Sequence, residues 1–130
     1  MEKILFVDDE LTFRLASKKL LESVGYSVDT ASDGMDAEKF LDQAEYDFII
    51  TDIVMPRKEG IELILDIRQR KVKSKIIAIS GGGRGSAQEY LAMAKAFQAD
   101  AVLSKPYAFT ELLSTMKKLS SEKDQSKLSI

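Results

Sequence analysis

Five short apolar runs alternate along the chain with five stretches whose apolar residues recur at helical spacing. The runs read KILFV, YSVDTA, DFIIT, KIIAIS and AVLS, at residues 3–7, 26–31, 47–51, 75–80 and 101–104. The helical stretches follow them at residues 11–24, 35–44, 61–70, 88–97 and 109–119. Because parallel strands need a crossover about as long as a helix, the alternation predicts an α/β fold with helices on both faces of a parallel sheet.

The composition of the strands predicts their order in that sheet. The first, third and fourth strands contain ILFV, FII and IIAI, continuous apolar runs that are typical of strands buried on both faces. The second strand alternates and the fifth is short, so both are expected at the edges. Short connections and right-handed crossovers then favour the doubly wound order 2-1-3-4-5. This order places a ligand crevice at the carboxyl ends of strands 1 and 3.

The length and composition are those of one domain. A chain of 130 residues that is 45% hydrophobic can form one sizeable core. We assign residues 1–120 to this domain and the polar residues 121–130 to a flexible tail. On the first helix, Ala16, Leu20 and Val24 are expected to form the buried face.

Composition also limits the function. The formal net charge of −2 creates no field that attracts nucleic acid or an anionic membrane, and we expect no contact with either. The absence of cysteine excludes disulfides and thiolate metal sites, and the absence of histidine requires any histidine chemistry to come from another molecule. No apolar run approaches the roughly 18 residues of a membrane span. We therefore expect a cytoplasmic protein that is a monomer or a weak dimer.

Polar residues end four of the five predicted strands on the same edge of the sheet. Asp8 and Asp9 follow strand 1, Asp52 follows strand 3, Ser80 ends strand 4 and Lys105 follows strand 5. Taken singly, an aspartate there can be a helix cap and a serine can be a turn residue. Three carboxylates brought together, however, repel one another unless a cation lies among them. Oxygen ligands at an open site favour Mg²⁺, with the lysine as a further counter-charge.

Such a group of side chains suits one kind of chemistry. A metal, a lysine and a hydroxyl around a carboxylate can support phosphoryl transfer to that carboxylate, with Asp52 as the covalent nucleophile. Lys105 would neutralise the phosphoryl oxygens, and Ser80 can donate a hydrogen bond to one of them. Phe13 and Arg14 on the first helix are expected near this edge, where they could meet a partner, although Phe13 could equally point into the core.

The sequence resembles the response-regulator receiver family over about residues 2–119. The resemblance is carried by VDDE at 7–10, TDIVMPRKEG at 51–60, AIS at 78–80 and SKPY at 104–107. It implies a flavodoxin-like fold and a phosphorylation switch of two-component signalling. Such a switch accepts a phosphoryl group from a histidine kinase or a phosphotransfer protein and regulates an output partner. The sequence does not identify these partners.

The resemblance also implies roles for individual residues. The phospho-acceptor is Asp52, and its phosphoryl group is bound by Lys105 and Ser80. The Mg²⁺ ligands are oxygen atoms, namely the carboxylates of Asp9 and Asp52, the main-chain carbonyl of Val54, and Asp8 acting through water. The resemblance further implies a cis peptide bond between Lys105 and Pro106.

One position departs from the family pattern. Many receivers carry Tyr or Phe three residues before the lysine, where this chain has Val102. A stiff β-branched side chain has no ring to bury. A movement of Ser80 toward the phosphoryl group must therefore be transmitted through another part of the chain. We expect phosphorylation to order the segment from Gly81 to Gly85 and to reposition helix 4.

Four other functions fit the sequence less well than a working receiver. The run SGGGRGS at 80–86 lacks the GK[ST] ending of a nucleotide-binding P-loop. A flavin phosphate in the crevice would prefer main-chain donors to two carboxylates. A phosphatase of the haloacid dehalogenase type would carry its nucleophile after strand 1 in a DxD pattern, where this chain has DDE. A degenerate receiver that serves only as a binding module would have lost an acid or the lysine.

Overall fold

The computed structural model describes residues 2–53, 60–70, 72–80, 87–96 and 98–128. Strands and helices alternate as predicted: β1 Lys3–Val7, α1 Leu11–Ser23, β2 Ser27–Ala31, α2 Gly34–Leu41, β3 Phe48–Asp52, α3 Gly60–Gln69, β4 Lys75–Ser80, α4 Ala87–Ala96, β5 Ala101–Ser104 and α5 Phe109–Leu128. The strands form one parallel sheet in the order β2-β1-β3-β4-β5. This arrangement confirms the predicted α/β class, the flavodoxin-like topology and the two edge strands.

The register of the sheet brings the ends of its strands together. Val7 of β1 pairs with Thr51 of β3, so the residues that follow them lie side by side. Asp52 pairs with Ile79, and Ser80 pairs with Ser104 at the end of β5. The carboxyl ends of β1, β3, β4 and β5 therefore form a continuous edge, as the sequence predicts.

The core has two layers, one on each face of the sheet. Leu5 and Ile49 point to the layer that holds the buried residues of α3, whereas Ile4 and Ile50 point to the layer beneath α5. Alternate residues of one strand therefore enter opposite layers, and both are fully buried. Double burial is the reason these strands are apolar at every position.

The predicted buried face of α1 is wrong. Ala16 is exposed, and Leu20 and Val24 are 46% and 49% exposed. Ser17 and Leu21 are buried instead. The true face has the same four-residue spacing but is shifted by one residue, about 100° around the helix. It was missed because one of its members is a polar serine.

Helix α5 continues beyond its predicted end at residue 119 and reaches Leu128. The added segment, SSEKDQSKL, contains no glycine or proline, so no strong breaker in its sequence ends the helix. The assignment of residues 1–120 to the domain, and the flexibility of residues 121–130, stay predictions. No helix in the described part of the chain is long and apolar enough to cross a membrane.

Candidate functional site at the carboxyl edge of the sheet

Three aspartates meet at the carboxyl edge of β1 and β3. Asp8 is 1% exposed and Asp52 is 9% exposed, while Asp9 faces solvent. One carboxylate oxygen from each residue lies within 4.8 Å of the other two. Asp8 is held in place from both ends, since its N–H donates to Ala31 O at 3.1 Å and its Oδ1 accepts from the Glu10 N–H at 2.9 Å. The expected cluster of carboxylates is therefore present, and its oxygen atoms suit a hard divalent cation.

Lys105 supplies positive charge to this cluster. Its Nζ lies 2.8 Å from Asp8 Oδ2 and 3.4 Å from Asp52 Oδ2. Its backbone N–H donates to Ser80 O at 2.7 Å, and the bond to Pro106 is cis, in agreement with the resemblance. Burial lowers the pKa of Lys105, but the hydrogen bond to Asp8 and the charges of Asp52 and Asp8 outweigh burial and raise it. The lysine is thus held charged between the two acids.

Ser80 brings an uncommitted hydroxyl to the same edge. The residue is 1% exposed, and no described residue offers its Oγ a hydrogen-bond partner. Buried polar side chains nearly always have a partner, so an exception calls for an explanation. A ligand with an acceptor oxygen at this edge would provide one.

An aromatic group around the lysine was not foreseen from the sequence. Lys105 Nζ lies over the ring of Phe13, 4.2 Å from the ring centroid. The ring of Tyr107 meets Phe13 edge-on, with centroids 6.0 Å apart. Burial, and then the negative charges of Asp8 and Asp52, raise the pKa of the Tyr107 phenol. The sequence placed Phe13 near this edge, but the rotation of α1 decides where its ring points.

Arg14, the neighbour of Phe13, also reaches the site. Its Nη1 donates to the main-chain oxygen of Asp8 at 2.8 Å. The guanidinium therefore ties the first turn of α1 to the end of β1, close to the carboxylates.

Two predicted features fall on undescribed parts of the chain. The Val54 carbonyl and the segment from Gly81 to Gly85 lie outside the described residues. The P-loop-like glycine run lies there too, from residue 81 onward. Val102 is described, and it packs half-buried against the core layer of α3.

Comparison with known proteins places this site in a family. A family model described as the response regulator receiver domain matches residues 4–117. The chain therefore belongs to the response regulator receiver domain family. Members of this family act as phosphorylation-dependent switches in two-component signalling, where they interact with histidine kinases and output domains.

Curated relatives are longer than this chain. The response regulator MprA of Mycobacterium sp. (strain KMS) is 34% identical over 117 residues, which are 90% of this chain and 50% of that protein. The sensor kinase CckA of Brucella abortus (strain 2308) is 30% identical over 126 residues, which are 93% of this chain and 13% of that kinase. The chain thus spans half the length of MprA and a smaller share of CckA.

Solved structures agree with the fold over nearly the whole chain. The response regulator protein TrrA of Thermotoga maritima, crystallised in complex with Mg²⁺-BeF, is 35% identical. The alignment covers 92% of this chain and 99% of TrrA, with a TM-score of 0.80. A receiver domain protein from Clostridium thermocellum is 28% identical, with 96% and 98% coverage and a TM-score of 0.86.

Proposed function

We propose that a histidine kinase or a phosphotransfer protein phosphorylates this chain on Asp52, and that the phosphorylated form changes conformation to regulate an output protein. One observation carries the proposal: the carboxylates of Asp8, Asp9 and Asp52 converge within 4.8 Å of one another, with the Lys105 ammonium in contact with two of them. Asp8 Oδ1 and Oδ2 both hold hydrogen bonds, to Glu10 and to Lys105. These contacts suit Asp8 for holding the site together.

The same three carboxylates fit Mg²⁺. They offer hard oxygen atoms, two of the three residues are buried, and their mutual repulsion favours a cation. We assign Asp9, Asp52 and the Val54 main-chain carbonyl as direct ligands and Asp8 as a ligand through water. When bound, the ion would neutralise the charge of the incoming phosphoryl group. The likeness to TrrA, which was crystallised with Mg²⁺-BeF, supports this assignment.

The transfer itself uses a donor imidazole on another protein, since this chain has no histidine. The P–N bond of the phosphohistidine breaks as a P–O bond forms to a carboxylate oxygen of Asp52, and the electron pair of the broken bond leaves with the imidazole. Lys105, already charged and in place, stabilises the phosphoryl oxygens. Ser80 gains a hydrogen-bond acceptor that it lacks among the described residues.

The hydrogen bond that Ser80 gains on phosphorylation supplies free energy for the conformational change. A ligand shifts a conformational equilibrium only through contacts that differ between the two states. The buried Ser80 hydroxyl gains a contact with the phosphoryl group, so phosphorylation favours an arrangement in which β4 and the residues after it approach Asp52. The chain acts in this scheme as a switch and not as an enzyme with turnover.

The partners in this scheme are proteins. A net charge of −2 provides no general attraction to nucleic acid or to an anionic membrane. We infer a cytoplasmic monomer or weak dimer that binds a kinase or phosphotransfer protein and an output protein.

Acetyl phosphate with Mg²⁺ provides the direct test, because it needs no cognate kinase. Intact-mass measurement should show one phosphoryl group on the native protein and none on Asp52→Asn, since the amide is not an anionic nucleophile. Asp47→Asn is the matched control: Asp47 immediately precedes the strand that ends in Asp52, and its carboxylate accepts from the Lys3 N–H at 2.8 Å. It should be labelled like the native protein. Label retained on Asp52→Asn would mean that a different residue is the acceptor.

A further inference from the structure

We propose that Phe13 is a positioning residue for Lys105, and that its ring holds the lysine ammonium at the Asp8 and Asp52 carboxylates for phosphoryl transfer. The inference rests on the function proposed above. It adds a residue outside the sequence motifs that carry the family resemblance.

The first support is the position of the ammonium. Lys105 Nζ lies 4.2 Å from the centroid of the Phe13 ring, well within the roughly 6 Å over which the negative face of a ring attracts a cation. The same nitrogen contacts Asp8 Oδ2 at 2.8 Å and Asp52 Oδ2 at 3.4 Å. Two carboxylates and one aromatic face therefore surround the charged group.

The second support is that the ring is itself held. Phe6 of β1 packs against it with centroids 6.0 Å apart and planes tilted by 53°. Tyr107 meets it edge-on at 6.0 Å and 84°, a favoured geometry for aromatic pairs. Arg14 ties the same helical turn to the main chain of Asp8 at 2.8 Å. Phe13 therefore presents a fixed face to the lysine.

The physical consequence concerns the freedom of the lysine. A lysine side chain has a flexible four-carbon stem and carries much rotamer entropy. An aromatic face attracts the ammonium without competing for the carboxylate oxygens, and it excludes water from one side of the ion pairs. The ring therefore keeps the charge where the phosphoryl oxygens arrive, so that less ordering remains for the reaction.

The test compares three substitutions. Phe13→Leu removes the ring and keeps an apolar side chain, whereas Phe13→Tyr keeps the aromatic face. Phe40→Leu is the matched control: Phe40 is also half-buried, but it packs against the opposite core layer. Phe13→Met repeats the experiment with a longer apolar side chain if Phe13→Leu does not fold.

A spectroscopic measurement tests the geometry without any phosphorylation. A proton above an aromatic ring has an upfield-shifted NMR signal, so the Lys105 ε-methylene protons of the native protein should resonate upfield of ordinary lysines. The shift should disappear in Phe13→Leu and persist in Phe13→Tyr and Phe40→Leu. An ordinary lysine signal in the native protein would overturn the inference.

A kinetic measurement tests the role. In excess Mg²⁺, Phe13→Leu should lower the maximal rate of phosphorylation by acetyl phosphate about threefold to tenfold, the range of a partly desolvated cation–π contact. Phe13→Tyr should restore most of the rate, and Phe40→Leu should keep it. In a Lys105→Ala background, Phe13→Leu should have no further effect, because the ring acts through the lysine.

The outcomes separate this inference from the function on which it rests. Additive losses in the double variant, or a native rate in Phe13→Leu, would overturn the positioning role while labelling of Asp52 still stood. A native protein that takes no label from acetyl phosphate or from any kinase would overturn the proposed function, and this inference with it.

Discussion

At the scale of single residues, Ser80 has a buried hydroxyl to which no residue in the described part of the chain offers a hydrogen bond. Its hydroxyl is buried at the end of β4 without a partner among the described residues. An unsatisfied buried hydroxyl costs about 1–3 kcal/mol of stability. A phosphoryl group on the adjacent Asp52 would remove that penalty, so the residue makes sense as part of a switch and not as part of a resting core.

Ser80→Ala should therefore leave the free energy of unfolding of the unphosphorylated protein unchanged or raise it by about 1 kcal/mol. The control is Ser74→Ala, because Ser74 is also buried but donates to Tyr46 O at 2.6 Å. That variant should lose about 1 kcal/mol. Urea unfolding measures both. Equal losses in the two variants would mean that the Ser80 hydroxyl is satisfied in the resting protein.

Gly60, the first residue of α3, lies at a position that has no room for a side chain. A Cβ at this position would lie 2.8 Å from Ile53 Cα and would collide with the main-chain oxygen of Asp52. The Gly60 N–H also donates to Ile53 O at 2.9 Å. The start of α3 thus packs directly against the backbone of Asp52.

Gly60→Ala should lower the free energy of unfolding by about 2–3 kcal/mol and slow phosphorylation, since the extra methyl must displace the backbone of Asp52. Gly25→Ala is the control, because Gly25 has a φ of 103° but open space around it. It should lose about 1 kcal/mol from backbone strain and keep its phosphorylation rate. Chemical denaturation and acetyl phosphate labelling measure the two effects. A native labelling rate in Gly60→Ala would show that the acceptor tolerates the displacement.

At the scale of elements, the strands were easier to predict than the faces of the helices. The bounds of β1, β4 and β5 agree with the apolar runs. For β1 and β4 the reason is that a strand buried on both faces admits few polar residues. The predicted and the observed buried faces of helix α1 differ by a shift of one residue. Its apolar residues Leu20 and Val24 face solvent, while Ser17 is buried, so periodicity alone chose the wrong face.

The side chain of Arg68 connects helix α3 to the segment before β5, where it binds one main-chain oxygen and one carboxylate. Arg68 donates to Gln98 O at 2.7 and 3.0 Å and to Asp100 Oδ2 at 2.8 Å. Asp100 Oδ2 also accepts from the Ile76 N–H at 2.8 Å. Since this carboxylate satisfies a main-chain donor of β4, it contributes more than an ordinary surface ion pair.

Asp100→Ala should lower the free energy of unfolding by about 2 kcal/mol, because it leaves the Ile76 N–H and the Arg68 guanidinium without this acceptor. The control is Asp42→Ala. Asp42 forms an exposed ion pair with Arg70, with 2.6 Å between Arg70 Nη1 and Asp42 Oδ1. Its loss should be below about 0.5 kcal/mol. Thermal and urea unfolding of the two variants provide the measurement. Similar small losses would place Asp100 among ordinary surface charges.

At the scale of the whole molecule, topology explains why most of the site was predictable. The order 2-1-3-4-5 brings the ends of β1, β3, β4 and β5 to one edge, so residues far apart in sequence, such as Asp8 and Lys105, become neighbours. Side-chain direction does not follow from topology. The contact of Lys105 with Phe13 depends on the rotation of α1, and whether a described residue meets the Ser80 hydroxyl depends on how the core packs.

The same topology concentrates negative charge at the edge where Mg²⁺ is proposed to bind. The Lys105 ammonium contacts two of the three clustered carboxylates. The remaining repulsion opposes folding in the absence of metal. An ion that binds only the folded chain stabilises it by about 2.7 kcal/mol at one hundred times its dissociation constant. Metal binding should therefore be visible in the stability of the entire domain.

Mg²⁺ added at constant ionic strength should raise the melting temperature of the native protein, with a dependence on concentration that saturates. Asp9→Ala should weaken this response at least tenfold in Mg²⁺ concentration, because the variant lacks one of the three converging carboxylates. Without metal it should be slightly more stable than the native protein, since one repelling charge is gone. Glu10→Ala is the matched control: it removes the same charge from the exposed neighbouring residue, which is not in the cluster. It should keep the native Mg²⁺ response. Equal weakening in both variants would attribute the effect to general electrostatics and would remove Asp9 from the metal site.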